Sequence, residues 1–487
     1  MVGSVFGRWL LLVMAIVVGL FGLIVAGGYW RLSSSLPRLT GEVKAPVTAA
    51  VSVHRDADGV PTIVAQTEPD MAFALGFLHA QERYFQMDLL RRAGTGELAA
   101  LLGSSVVAID RSRRRHRFRW RAQQAIERLS APERAVIFAY TAGVRAGLAD
   151  LSAPPFEYDL LGVTPEPWQE EDAYCVSLAM FFTLQDASGA NELRRAAIER
   201  ALSPRLAELA LSPGTKWDAA IDNSLLSLPS WSNTSGVPVQ EAAPPSAKPA
   251  PDAPPPPGSN NWAVSGRFST HGGAMVADDM HLRLRMPNIW FRARYRIEDD
   301  EPFDSTGVTL PGTPLIIAGS NGHIAWGFTN AFIDTSDLVV IERGSSPETY
   351  RTPDGEAKIE RFEEKIEIRG EPAQTLVVKE TIWGPIVGRD FDGRQVALRW
   401  TAHDLRGNNL GLRKLGRART LEEAIAAAQA AGMPNQNVAL AAKDGRIAWT
   451  ISGLVPARPP GCDGARPTSW ADGRCAWRGY APPSEVP

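Results

Sequence analysis

Pro254-Pro255-Pro256-Pro257-Gly258-Ser259-Asn260-Asn261-Trp262-Ala263-Val264 is where this chain changes character. Residues 226 to 258 are mainly Ser, Pro and Ala, with almost nothing to bury, so the tract cannot offset its ordering entropy. A strand-like segment, Trp262-Ala263-Val264, starts directly after it. A serine at such an edge can be released as a new N-terminus, joining a hydroxyl nucleophile and an α-amine base in one residue. The α-amine titrates near pH 8, so far more of it is unprotonated at neutrality than of a lysine. It can deprotonate its own hydroxyl through one water. While the Gly258–Ser259 peptide is intact the amine is tied up, and the precursor is expected to be inactive. The same hydroxyl can attack the Gly258 carbonyl, and an N-to-O acyl shift followed by hydrolysis would free Ser259. Gly258 suits this step, because glycine enters backbone conformations closed to other residues. The residues alone leave a second reading open, a linker that ends in Gly-Ser.

The bulk properties set the frame. At 487 residues the chain is long enough for two domains or one large layered enzyme. A net charge of −3 gives no electrostatic case for nucleic acid as a partner. The one basic cluster, Arg111-Ser112-Arg113-Arg114-Arg115-His116-Arg117, reads as a phosphate or membrane-surface contact or as a solvated face. Residues Trp9 to Trp30 form 22 uncharged positions between Arg8 and Arg31, enough for a helix to cross a bilayer. That run exceeds a usual signal-peptide core, so a membrane anchor over residues 9–30 is expected, with a cleaved export signal as the alternative. The flanking charges are too balanced to fix orientation. A periplasmic or extracytoplasmic location for the rest of the chain is expected from the residues that follow. Ser33-Ser34-Ser35 and Pro37 read as a short stalk, and residues 1–43 form the anchor region. Cysteines are few: Cys175 lies in an apolar run, whereas Cys462 and Cys475 bracket a Gly/Pro/Asp-rich loop. In an exported protein the latter two can form a disulfide, or they are unrelated thiols.

Periodicity divides the remainder. Val51-Ser52-Val53 and Ile63-Val64 read as strands around the turn Asp56-Ala57-Asp58-Gly59. Thr67-Glu68-Pro69-Asp70 and Ser130-Ala131-Pro132-Glu133 are helix starts, the first helix running out at Gly94. The segment 44–225 is therefore expected to be mostly helical. Ala274-Met275-Val276, Lys365-Ile366-Glu367-Ile368 and Leu376-Val377-Val378 read as strands, and Thr420-Leu421-Glu422-Glu423 opens a helix ending at Gly432. The sum over 259–487 is a β-rich region, and the whole is α+β. G-x-S-x-G, H-E-x-x-H, P-loop and dinucleotide fingerprints are all missing.

Gly258-Ser259-Asn260-Asn261-Trp262-Ala263-Val264 resembles the processing site of the penicillin acylase family of N-terminal-nucleophile hydrolases. Arg55-Asp56, Gly59-Val60-Pro61, Ala74-Leu75-Gly76, His79-Ala80-Gln81, Gln86-Met87 and Arg91-Arg92 match the family's α-chain. Asp278-Asp279-Met280-His281-Leu282, Pro311-Gly312, Asn321 to Gly327 and Asp444-Gly445-Arg446-Ile447-Ala448 match its β-chain, as do Gly453 and Pro456-Ala457-Arg458. The resemblance implies a four-layer αββα fold and hydrolysis of a linear amide of penicillin, N-acyl amino acid or acyl-homoserine lactone type. It implies an α/β heterodimer cut from one precursor at Gly258–Ser259, acting on a small-molecule amide. Ser259 would be nucleophile and base, His281 would orient it, and the backbone N–H near Asn330 would donate to the oxyanion. As a simpler alternative, His281 is a strand-end packing residue. Leu282, Phe181 and Phe182 are candidates for the acyl pocket, or plain core. Family members hold Ca²⁺ at positions matching Glu192, Asp334, Asp337 and the carbonyls of Ser336 and Pro456, although both aspartates could instead cap a turn. The family's β-chain also continues beyond Pro487, so a fragment of a longer gene product or a non-catalytic remnant is a further expectation. A membrane-tethered binding protein with a plain proline linker is the reading from another class.

Overall fold

A computed structural model describes residues 2–212, 214, 258–298 and 302–486; most of the expected spacer, 226–257, lies outside the described residues. Helix α1 (Val2–Ser34) contains Trp9–Ser34, a stretch long and apolar enough to cross a membrane and not buried against the protein. Its foot is tied down by an Arg31–Asp159 ion pair of 2.7 Å and by the Ala153 N–H donating to the Ser34 carbonyl.

Helix α2 (Glu68–Thr95) starts where its cap predicts: the Thr67 hydroxyl accepts the Asp70 N–H at 3.2 Å. It ends at Gly96, which takes the left-handed backbone at φ 72°, not at Gly94. Gly94 has another task. A Cβ there would lie 2.2 Å from the Cys175 carbonyl, so the glycine lets the helix Asp172–Leu184 pack close. The helix Ala131–Asp150 has the Ser130/Glu133 capping box and presses on α2 through Gly143, where a Cβ would meet the Phe73 carbonyl at 2.0 Å.

The strands before and after the spacer share one sheet. Strand β1 (Ser52–Arg55) pairs with β2 (Pro61–Ala65), and β2 runs parallel to β5 (Phe291–Ile297). The sheet continues through β6 (Phe303–Thr309), β7 (Ile316–Ser320), β8 (Ile324–Asn330), β16 (Gln436–Ala442) and β17 (Ile447–Ser452). In β5 the alternation is complete: Phe291, Ala293, Tyr295 and Ile297 are buried with the α2 core, while Arg292, Arg294 and Arg296 face out. His79 of α2 is fully buried and bridges Tyr140 at 2.8 Å to Thr309 of β6 at 2.9 Å. Burial pushes its imidazole down to about 3, so it is a neutral strut.

Strands β3 (Ser259–Val264) and β4 (Met275–Met280) form a separate two-stranded sheet. It lies on β8, where a Cβ at Gly327 would be 2.7 Å from the Asp278 Cβ. By strand alternation Gly327 faces away from Trp326 and Phe328, which join the helical core. The described residues thus give a helical layer, an eight-stranded sheet and a two-stranded sheet against it, an α+β arrangement. A second six-stranded sheet comprises β12 (Glu360–Ile368), β13 (Glu371–Thr381), β14 (Gly384–Arg389), β15 (Gln395–Trp400), β9 (Ser336–Val340) and β18 (Thr468–Ser469). The hairpin β10 (Thr349–Thr352) and β11 (Gly355–Lys358) stands beside it.

The basic cluster faces this second sheet. Arg117 pairs with Glu364 and Glu380 at 3.2 and 3.0 Å, and Arg121 pairs with Glu380 at 2.5 Å. His116 is buried 3.0 Å from His403. The cluster is therefore an ionic seam between the helical segment and the β-rich one. Cys462 and Cys475 are joined in a disulfide, and Cys175 is buried.

Candidate active site

Ser259 is the first residue of β3, and its hydroxyl donates to the Gly258 carbonyl oxygen at 2.7 Å. The backbone N–H of His281 donates to the same oxygen at 3.2 Å. Register explains the meeting: Ser259 pairs with Met280, the last residue of β4, so the next residue reaches one position before the serine. The His281 ring is about half exposed and contacts Asp279 through Nε2 at 2.8 Å. Its Nδ1 is the nearest neighbour a Cβ at Gly258 would meet, at 3.9 Å. The peptide Gly258–Ser259 is thus framed by a hydroxyl, an N–H donor and an imidazole.

A narrow, mainly apolar cavity of about 90 Å³ opens beside Ser259. Leu282 and Asn330 line it, together with Met180, Met280, Trp290, Leu310, Ile317, Phe328 and Met433. The Asn330 side chain donates to the Leu184 carbonyl at 2.8 Å, which fixes the end of β8 against the helix Asp172–Leu184. Phe181 and Phe182 are corrected by the structure. Phe181 is buried in the second core against Trp400, and Phe182 packs on His116 and Phe118. A helix turns about 100° per residue, so Ser177, Met180 and Leu184 reach the cavity while the two phenylalanines point elsewhere.

Sequence reasoning passed over Asn261 and Asp278, which face each other across β3 and β4. Counting alternate residues from Ser259 would have found Asn261, whose side chain donates to the Gly327 carbonyl at 3.2 Å. Both Asp278 carboxyl oxygens are buried without a hydrogen-bond partner. Burial pushes this carboxyl up to about 6, against the pull of the nearby Phe328 N–H.

The residues expected to hold Ca²⁺ lie around β9. Glu192 is buried, and both its oxygens accept the Leu338 N–H at 2.9 and 3.0 Å. Burial, with Asp337, Asp334 and Asp186 nearby, pushes Glu192 up to about 9. Asp334 is raised to about 6, chiefly by burial. Arg458 pairs with two of these acids, at 2.6 Å from Asp337 and 3.2 Å from Asp334. Pro456 stands two residues before it, in a bridge to Tyr480, and Ser336 opens β9. Among the described residues no three His, Cys, Asp or Glu side chains stand at metal-binding spacing. The donor set is oxygen alone, with Glu192 and Asp337 buried and Asp334 exposed, the donor chemistry a hard divalent cation takes.

The chain is 30% identical over 473 residues to penicillin acylase 2 proenzyme of Pseudomonas sp. (strain SE83), covering 94% of this chain and 59% of that protein. It is 29% identical over 477 residues to the acyl-homoserine lactone acylase QuiP of Pseudomonas aeruginosa, covering 93% and 55% respectively. The chain thus spans little more than half the length of these relatives. A thermostable penicillin G acylase from Alcaligenes faecalis aligns in structure at a TM-score of 0.41 and 22% identity, over 47% of this chain and 41% of that one. A family model described as penicillin amidase matches residues 50–487, and the chain therefore belongs to the penicillin amidase family.

Proposed function

We propose that this chain is the precursor of an exported amidohydrolase that cuts itself at Gly258–Ser259 and then hydrolyses a linear amide through Ser259. The single observation that carries the reading is the Gly258 carbonyl oxygen, held by the Ser259 hydroxyl and the His281 N–H together. Attack of Ser259 Oγ on the Gly258 carbon forms the ester, and the C–N bond breaks as the serine nitrogen takes the proton. The His281 N–H is aimed at the oxygen that becomes negative in between, which lowers that barrier. Water then cleaves the ester, leaving Gly258 with a carboxyl group and Ser259 with a free α-amine.

In the mature form the amine accepts the proton of Oγ through one water as Oγ attacks the substrate carbonyl. The tetrahedral carbon collapses to an acyl-ester on Ser259, and the leaving nitrogen departs with the proton. A second water, deprotonated by the amine, hydrolyses the ester. The apolar cavity receives the acyl part, with Leu282 and Met180 in its wall, and the Asn330 N–H supplies the oxyanion donor. Substrates of the penicillin and acyl-homoserine lactone kind fit the names of the relatives. Ca²⁺ bound by Glu192, Asp334, Asp337 and the Ser336 and Pro456 carbonyls would neutralise buried acid and tie the helical segment to β9.

The test is Ser259→Ala in the full gene product. Intact mass and N-terminal sequencing should show an uncut chain, whereas the unsubstituted protein yields a chain beginning Ser-Asn-Asn-Trp. Cleavage at this bond in the variant, or acyl-amide hydrolysis without Ser259, sinks the proposal.

A further inference from the structure

We propose that the loop Leu282–Pro287 is a lipid-contacting arm that sets this face of the protein against an anionic bilayer. It reads Leu282-Arg283-Leu284-Arg285-Met286-Pro287, alternating apolar and cationic residues. Leu284 is 98% exposed and Met286 96%, exceptional values for large apolar side chains beside a packed core. Neither Arg283 nor Arg285 has a carboxylate within ion-pair distance among the described residues. Arg283 takes a left-handed backbone, φ 67°, so the chain bends sharply at the start of the exposed run.

Position selects the partner. Arg285, Met286 and Pro287 wall a groove of about 850 Å³ together with Ser35, Leu36 and Pro37. Those three residues follow directly on α1, the candidate membrane span. The arm therefore stands at the foot of the apolar helix, where headgroups would lie. Leu36 is itself exposed, as are Phe156 and Leu160 nearby in the chain that pairs with Arg31. Apolar tips flanked by unpaired arginines suit the boundary between acyl chains and acidic headgroups. The first residue of the arm, Leu282, lines the cavity beside Ser259, so one short segment joins the membrane face to the candidate site. The inference rests on α1 crossing the bilayer and not on the hydrolase reading.

The experiment uses the full chain in phosphatidylcholine vesicles with and without phosphatidylglycerol. A polarity-sensitive dye is attached through Leu284→Cys or, separately, Met286→Cys, with Asp354→Cys in the β10–β11 turn as the distant control. Lipids carrying a quencher near the headgroup should cut the emission at both arm positions by at least about half and leave the control unchanged. Arg283→Gln with Arg285→Gln should weaken that quenching in the anionic vesicles, since each arginine near an acidic surface is worth roughly a fivefold change in partition. Equal quenching at position 354, or none at either arm position, would overturn the proposal. So would shielding of both dyes from an aqueous quencher in detergent, which means that a protein segment covers the arm. Two labelled positions keep the test decisive if one variant fails to fold.

Discussion

One oxygen atom, the Gly258 carbonyl, receives both the Ser259 hydroxyl and the His281 backbone N–H. The donor at 281 is main chain, so His281→Ala should change the half-time of processing by less than about tenfold. His281→Pro removes the N–H and should slow it by roughly a hundredfold or more, the usual worth of one oxyanion donor. Mass spectrometry of the chain beginning at Ser259 reads both. Asp278 gives a prediction with a defined sign. Its carboxyl is raised from an ordinary 3.8 to about 6, so the folded state holds the proton more tightly than the unfolded one. Its contribution to stability is complete below pH 3.8 and is lost as pH rises through about 6. Because Asp278 as a whole residue is only half-buried although its carboxyl oxygens are covered, Asp278→Asn should add about 1–2 kcal/mol at pH 7 and flatten the stability profile across that window. Denaturant melts at several pH values would show it, and an unchanged slope would refute it.

At the scale of elements, close packing is concentrated where α2 meets the helix Ala131–Asp150. Three glycines allow it, with Cβ positions only 2.3 Å from opposing carbonyls at Gly76 and Gly147 and 2.0 Å at Gly143. Gly143→Ala should destabilise by about 3 kcal/mol, because backbone rather than a flexible side chain must move. An exposed control, Gly370→Ala at φ 78°, should cost about 1 kcal/mol. Thermal denaturation separates the two. The helix Asp172–Leu184 divides its labour by face. Phe181→Ala empties a position in the second core and should cost roughly 3–5 kcal/mol. Met180→Ala opens the cavity wall and should alter KM for long acyl chains more than stability, measured with a series of acyl amides.

For the whole molecule, the segments on either side of Gly258 interlock before any cut. They share the β2–β5 pairing, the α2 core and the ion pairs of Arg117 and Arg121 with Glu364 and Glu380. After cleavage the two chains should therefore co-elute in native size-exclusion chromatography and separate only in denaturant. The acidic group around Glu192 predicts a response to Ca²⁺. At a hundredfold excess over its dissociation constant, bound ion stabilises by about 2.7 kcal/mol, a Tm rise that Glu192→Gln should abolish. No rise in the unsubstituted protein would mean that Arg458 is the sole counter-charge.

Short-range signals survived translation into the structure because their physics is local. The caps at Thr67, Ser130 and Thr420 and the strands on either side of Asp56–Gly59 depend only on neighbouring residues. The same holds for the α+β division and for the apolar run of α1, which are properties of composition and period. What the sequence could not assign was direction across space. Gly94 looked like a stop and is a contact, since only packing against Cys175 separates the two roles. The arginines of 111–117 looked solvated or ligand-seeking until β12 and β13 brought carboxylates to them. Phe181 and Met180 are adjacent in the chain, yet helix rotation alone sends Phe181 to the core around Trp400 and Met180 to the α2 core where it borders the cavity. By itself, then, the sequence determined the family, the α+β division and where the capped helices begin. Only the tertiary structure decided what each side chain faces, because burial and charge pairing belong to residues distant in sequence.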